Sequence, residues 1–144
     1  FIIVRLYFDL DKSPPNLRKN FYLAISPLLD QTLALATDRD EPFVFAPTAH
    51  HFMQLLHAAL AYDVPGVLRR AAQVAEASRP AGYTLDGLAV SEVVSLVEEV
   101  LADHGSEARS GETLANLEQL LNLFAEVGWP DALRLIWRLD EVFR

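Results

Sequence analysis

The sequence contains no cysteine, and this absence excludes several kinds of site. Disulfide bonds, thiolate metal sites and thiol nucleophiles all require that residue. Long apolar runs are also missing, because Arg5 and Asp9 interrupt the N-terminal one well before the ~20 residues that cross a bilayer. We therefore expect neither a disulfide framework nor a transmembrane helix, and the simplest expected location is cytoplasmic.

Basic residues are few compared with acidic ones. The chain has 12 lysines and arginines against 20 aspartates and glutamates, a formal net charge of −8. The summed field of such a chain repels phosphate groups. Nucleic acid and anionic membranes are therefore not expected partners.

Glycine is scarce too, with six residues and no glycine-rich loop of the kind that binds phosphates. The serines do not lie in a Gly-x-Ser-x-Gly motif, which marks the nucleophile of many hydrolases. The sequence thus predicts no catalytic residue and no cofactor.

The 144 residues are 51% hydrophobic, enough to bury one continuous core, so we expect a single domain over 1–144. Only 22% of the residues are charged, which indicates that some apolar surface meets a partner. The sequence opens without methionine inside the apolar run Phe1–Val4. We expect the chain to be the C-terminal part of a longer, bacterial-type protein.

Apolar residues recur at helical spacing along most of the chain. The predicted helices cover about 17–25, 27–37, 47–62, 64–78, 87–104, 111–127 and 130–142. Ser26, Asp63 and Ser110 are the expected N-terminal caps of three of them, and Gly105 and Gly128 are the expected left-handed C-terminal residues of two. Residues 1–8 fit a strand or a buried helix end, and we favour the helix.

This pattern predicts an all-α fold of about six to seven helices. Antiparallel helix pairs would pack either as an irregular bundle or as a short right-handed α-solenoid.

Two internal alignments suggest a repeat. Leu55–Glu76 aligns with Leu120–Glu141 at an offset of 65, whereas placing Pro27 on Pro65 gives an offset of 38. In its paired amphipathic helices, and in the prolines that open the second helix of a pair, the chain from Ser26 onward resembles degenerate helical-repeat proteins of the HEAT or armadillo kind. The resemblance concerns the fold alone.

Two histidines form one candidate site. His50 and His57 stand seven residues apart and share a helical face, too far apart to bind one metal ion by themselves. With Tyr62 and Tyr83 they could line a pocket between helices, and the alternative is that both histidines lie on the polar edge of an amphipathic helix. No metal site is predicted.

The last helix carries a second candidate site. Trp137 is expected in the helical core, with the alternative that it forms an interaction surface together with Arg134 and Arg138. Because Glu98 and Glu99 are adjacent on a helix, they should point in different directions and not form a catalytic pair.

The sequence as a whole favours a non-catalytic scaffolding module. Its partner would be another protein, other domains of the same chain, or a second copy in a homo-oligomer. One alternative is a ligand-binding or enzymatic helical domain with its pocket near His50 and His57. Another is a regulatory domain of an ATPase or nuclease.

Overall fold

A computed structural model describes residues 9–36, 42–77, 87–109, 111–128 and 130–142. These segments contain six α-helices, and residues 9–12 form a further helical segment before them. The α-helices are α1 (Pro15–Ala36), α2 (Pro42–Ala59), α3 (Val64–Ala77), α4 (Gly87–Asp103), α5 (Gly111–Val127) and α6 (Pro130–Val142). Short 3-10 helices at Leu60–Tyr62 and Glu107–Arg109 lie within two of the connections. The predicted all-α fold is confirmed.

The start of α3 shows how the local sequence sets a helix boundary. The Gly66 amide donates to Asp63 Oδ1 at 3.1 Å, and the Val67 amide donates to the Asp63 carbonyl at 2.9 Å. Asp63 is therefore the N-cap that the sequence predicted, and Pro65 occupies the first turn, where its missing N–H is no loss. The helix ends at Ala77, close to the predicted Ser78.

The two helices predicted on either side of Ser26 and Pro27 form the single helix α1. A proline inside a helix costs about 3 kcal/mol, because it removes one hydrogen bond and crowds the preceding turn. Here Ile25 and Leu29 are both buried in the core, so packing on either side of the proline holds the helix together. Ser26 is not a cap, since its hydroxyl accepts a hydrogen bond from Arg70.

Two other predicted boundaries were wrong. Helix α2 begins at Pro42 and not at Pro47, so part of the predicted loop is helical. Gly105 follows the end of α4 without a positive φ, whereas Gly128, with φ of 81°, ends α5 as predicted. Residues 1–8 and the expected cap Ser110 lie outside the described residues.

The helices form two layers. Helices two apart in the chain contact each other, α1 with α3, α2 with α4, α3 with α5 and α4 with α6. Consecutive helices such as α1 and α2, or α5 and α6, pack across the two layers. The core between them is aliphatic with a few aromatic rings, its largest fully buried side chains including Tyr22, Phe52, Leu68, Leu96 and Phe124.

Contacts within a layer show the direction of its helices. His50 and His57 of α2 contact Glu92 and Glu99 of α4 in the same order along both helices, each 42 residues on in the chain. In the other layer, Asp30 of α1 bonds a residue of α3 at a separation of 40. Neighbours within a layer thus run parallel, and consecutive helices form antiparallel pairs.

Candidate functional site

The most exposed large apolar side chain in the described residues belongs to α6. Ala132 and Leu135 are buried against the rest of the fold, but Trp137 is 80% exposed. Leu133, one turn before Trp137 on the same face, is also exposed. The expectation that Trp137 lies in the core was therefore wrong.

The physical reason is the width of the apolar face of α6. Its apolar residues extend over more of the circumference than the neighbouring helices α4 and α5 can cover. The buried stripe of α6 consists of Ala132 and Leu135, and Ile136 beside it is half-buried. The next apolar positions round the helix, Leu133 and Trp137, are exposed to solvent.

Two arginines flank the exposed tryptophan. Arg134 and Arg138 are both exposed, and Arg138 Nη1 lies 3.5 Å from Glu98 Oε1 of α4. This ion pair is itself exposed, so it is worth well under about 1 kcal/mol and leaves the guanidinium within reach of another molecule. Leu133, Arg134, Trp137 and Arg138 together are named the α6 surface.

A groove of about 440 Å³ lies between α3 and α5. Its floor includes the buried side chains of Ala72 and Leu123. Three carboxylates line it, those of Glu76, Glu118 and Glu126, together with Ala115, Gln119 and Asn122. The groove therefore combines an apolar floor with an acidic rim, and it is named the α3–α5 groove.

The two predicted histidines do share one face of α2, where they contact α4. His50 Nδ1 contacts Glu92 Oε1, and His57 Nδ1 lies 3.2 Å from Glu99 Oε2. The second ring nitrogen of His57 lies 3.3 Å from the backbone carbonyl oxygen of Glu92. The histidines thus tie two helices together.

Glu92 is the least solvated member of this contact. Burial raises the pKa of its carboxyl group, and the nearby His50 opposes that rise. Its Oε2 atom is buried without a hydrogen-bond partner among the described residues. Such an atom costs stability, because it gives up water without gaining a donor.

The predicted histidine pocket also included Tyr62 and Tyr83. Tyr62 packs against Tyr22, with ring centroids 6.4 Å apart, and Tyr83 lies outside the described residues. No group of three or more histidine or acidic side chains suited to a metal ion occurs in the described segments.

Sequence reasoning missed a buried polar cluster between α1 and α3. Arg70 is only 2% exposed, and its guanidinium donates to Asp30 Oδ1 at 3.1 Å, the Tyr22 hydroxyl at 2.8 Å and the Ser26 hydroxyl at 3.0 Å. The Tyr22 hydroxyl in turn donates to Asp63 Oδ2 at 2.7 Å. The cluster fixes the register of α1 on α3.

The cluster changes the titration of two of its members. Burial, followed by the hydrogen bond to Asp63, raises the pKa of Tyr22 to about 12. The hydrogen bond from Arg70 lowers the pKa of Asp30. A signal for this cluster was present in the sequence, because Arg70 is three residues after Val67 and four before Val74, on the apolar stripe of α3.

Within the described residues, no helix is both long and apolar enough to cross a membrane. The chain matches no protein-family model, no curated protein and no solved structure.

Proposed function

We propose that this chain is a non-catalytic protein-binding module that acts through the α6 surface. The observation that carries the proposal is the 80% exposure of Trp137 beside two exposed arginines. Tryptophan and arginine are the residues most enriched at the energetic centres of protein interfaces. Exposing an indole to water is costly unless a partner covers it.

The helix arrangement supports an α-solenoid as the scaffold of this module. Side chains that hydrogen-bond each other between parallel helices of one layer are 40 to 48 residues apart in the chain, close to the 40–47 residues of HEAT and armadillo repeats. The predicted offset of 38 relates α1 and α3, which lie in one layer, whereas the offset of 65 relates helices of different layers. Solenoids present extended surfaces to other proteins, and a cytoplasmic location belongs to the same proposal.

A capture experiment tests the proposed function. The chain and its Trp137→Ala variant are immobilised and exposed to extract from the source cells, and retained proteins are identified by mass spectrometry. We expect at least one protein to be retained by the chain and lost with Trp137→Ala, since a hot-spot residue is worth about 2 kcal/mol or a factor of about 30 in affinity.

The matched control is Leu23→Ala, which truncates another exposed apolar side chain, on α1. It should retain the same proteins as the unaltered chain. If Trp137→Ala and Leu23→Ala retain the same proteins in the same amounts, the α6 surface does not bind protein and the proposal is refuted.

A further inference from the structure

The α6 surface and the α3–α5 groove are complementary in charge and shape. The first is an apolar ridge flanked by two arginines, and the second is a depression whose apolar floor is lined by three glutamates. Both belong to the same chain, and the 80% exposure of Trp137 means that its own groove does not hold it. We infer that the α6 surface of one copy binds the α3–α5 groove of a second copy, an inference that rests on the proposed protein-binding function.

The dimensions of the groove suit this occupant. About 440 Å³ falls in the range of sites that enclose a small group of atoms and is too small for a whole helix. One indole, with Leu133 at its edge, would cover Ala72 and Leu123 on the floor.

Charge placement favours this occupant over an unrelated apolar segment. Arg134 and Arg138 stand one turn apart on the same side of Trp137, so an indole seated in the groove would bring both guanidinium groups to the same part of its rim. Glu118 and Glu126 stand eight residues or about 12 Å apart on α5, and Arg134 and Arg138 stand four residues or about 6 Å apart on α6, so the long arginine side chains would spread to meet one carboxylate each. Such pairs lie at the edge of the contact, where they fix its register and add modest affinity.

Because the two surfaces differ, the contact joins copies head to tail. A contact of this kind leaves one unused ridge and one unused groove at the ends, so association continues to longer chains or closes into a ring. The ridge is one helix face, well below the ~1,600 Å² of a standard interface, and the chain carries a net charge of −8. Association should therefore be weak and should rise with protein concentration.

Two variants that each lose one surface test the arrangement. Trp137→Ala removes the ridge and keeps the groove, whereas Glu118→Arg with Glu126→Arg reverses the rim of the groove and keeps the ridge. All three positions are exposed, and circular dichroism and thermal melting check that each variant folds. Masses are measured by sedimentation equilibrium, with Leu23→Ala as the control that keeps both surfaces.

We expect the mass of the unaltered chain and of Leu23→Ala to rise above 16.1 kDa with concentration. Each single-surface variant should associate with itself at least about 30-fold more weakly. An equimolar mixture of the two variants should recover a 1:1 complex and stop there, since only one ridge and one groove remain intact.

A mixture that stays monomeric while the unaltered chain associates would overturn the head-to-tail contact. If the unaltered chain remains monomeric at protein concentrations up to about 1 mM, its dissociation constant exceeds that value and the self-association proposal is overturned. The capture experiment distinguishes this failure from that of the proposed function, because a protein other than this chain that is lost with Trp137→Ala would show that the α6 surface binds a different partner and not a second copy.

Discussion

Replacing Arg70 with methionine should destabilise the fold far more than the same change at Arg69. The two arginines are adjacent on α3, and both substitutions remove one positive charge and keep an unbranched apolar stem. They differ in burial, since Arg70 is 2% exposed while the side chain of Arg69 is 42% exposed.

The size of the effect follows from the contacts of each guanidinium. Arg70→Met removes hydrogen bonds to Asp30, Tyr22 and Ser26, at about 1 kcal/mol each. Removing one partner of a fully buried ion pair costs about 3–5 kcal/mol, and the lower end applies because the side chain of Asp30 is 51% exposed and regains water. We expect the free energy of unfolding to fall by about 3 kcal/mol.

Arg69 makes one ion pair with Asp30, at 3.7 Å and in contact with solvent. Such pairs contribute about 0–1 kcal/mol, so Arg69→Met should cost about 0.5 kcal/mol. For a chain of this length, 1 kcal/mol corresponds to about 4 °C in Tm, so the expected decreases are about 12 °C and about 2 °C.

Urea denaturation and thermal melting, followed by circular dichroism at 222 nm, measure both variants under identical conditions. Equal losses of unfolding free energy for the two substitutions would refute the reasoning. They would show that the buried guanidinium of Arg70, with its three hydrogen bonds, contributes no more to stability than the exposed charge of Arg69.

Two further predictions concern the same cluster. Gly66→Ala should lower the free energy of unfolding by about 1 kcal/mol, although alanine is the better helix former. The added Cβ would lie 2.1 Å from Asp63 Oδ2 and would displace both the helix cap and the hydrogen bond from Tyr22. A higher free energy of unfolding for the variant, measured by urea denaturation, would contradict this. The pKa of Tyr22, about 12, exceeds its value near 10 in the unfolded chain, so this phenol stabilises the fold below pH 10 and loses that contribution as the pH rises toward 12. Absorbance at 295 nm should show a late-titrating tyrosine that is absent from the Tyr22→Phe variant. An identical titration curve for the variant would disprove this assignment.

Local chemistry made parts of this fold predictable from the sequence. The N-cap of α3 depends on Asp63 and on residues within one turn of it, and the C-terminus of α5 depends on a positive φ that Gly128 adopts without strain. The buried stripe of α3 follows from helical periodicity alone.

Long-range contacts decided what the sequence could not predict. Pro27 is a strong local breaker, and only packing against the other helices keeps α1 continuous through it. The surroundings of Arg70 come from α1, some 40 residues earlier in the chain. The exposure of Trp137 depends on how much of α6 its neighbours cover, which no local pattern on α6 specifies.

The arrangement around Asp63 also narrows which amino acids that position accepts. Helix capping alone admits serine, threonine, asparagine or aspartate, because each supplies one acceptor. In this protein Oδ1 caps α3 while Oδ2 accepts the Tyr22 proton, so two acceptor oxygens are needed at once. Asparagine offers one oxygen and serine a single hydroxyl, and glutamate is too long to cap from that position. A relative that keeps Tyr22 and Arg70 should therefore keep aspartate at position 63, which makes these three residues a joint signature by which distant relatives could be sought.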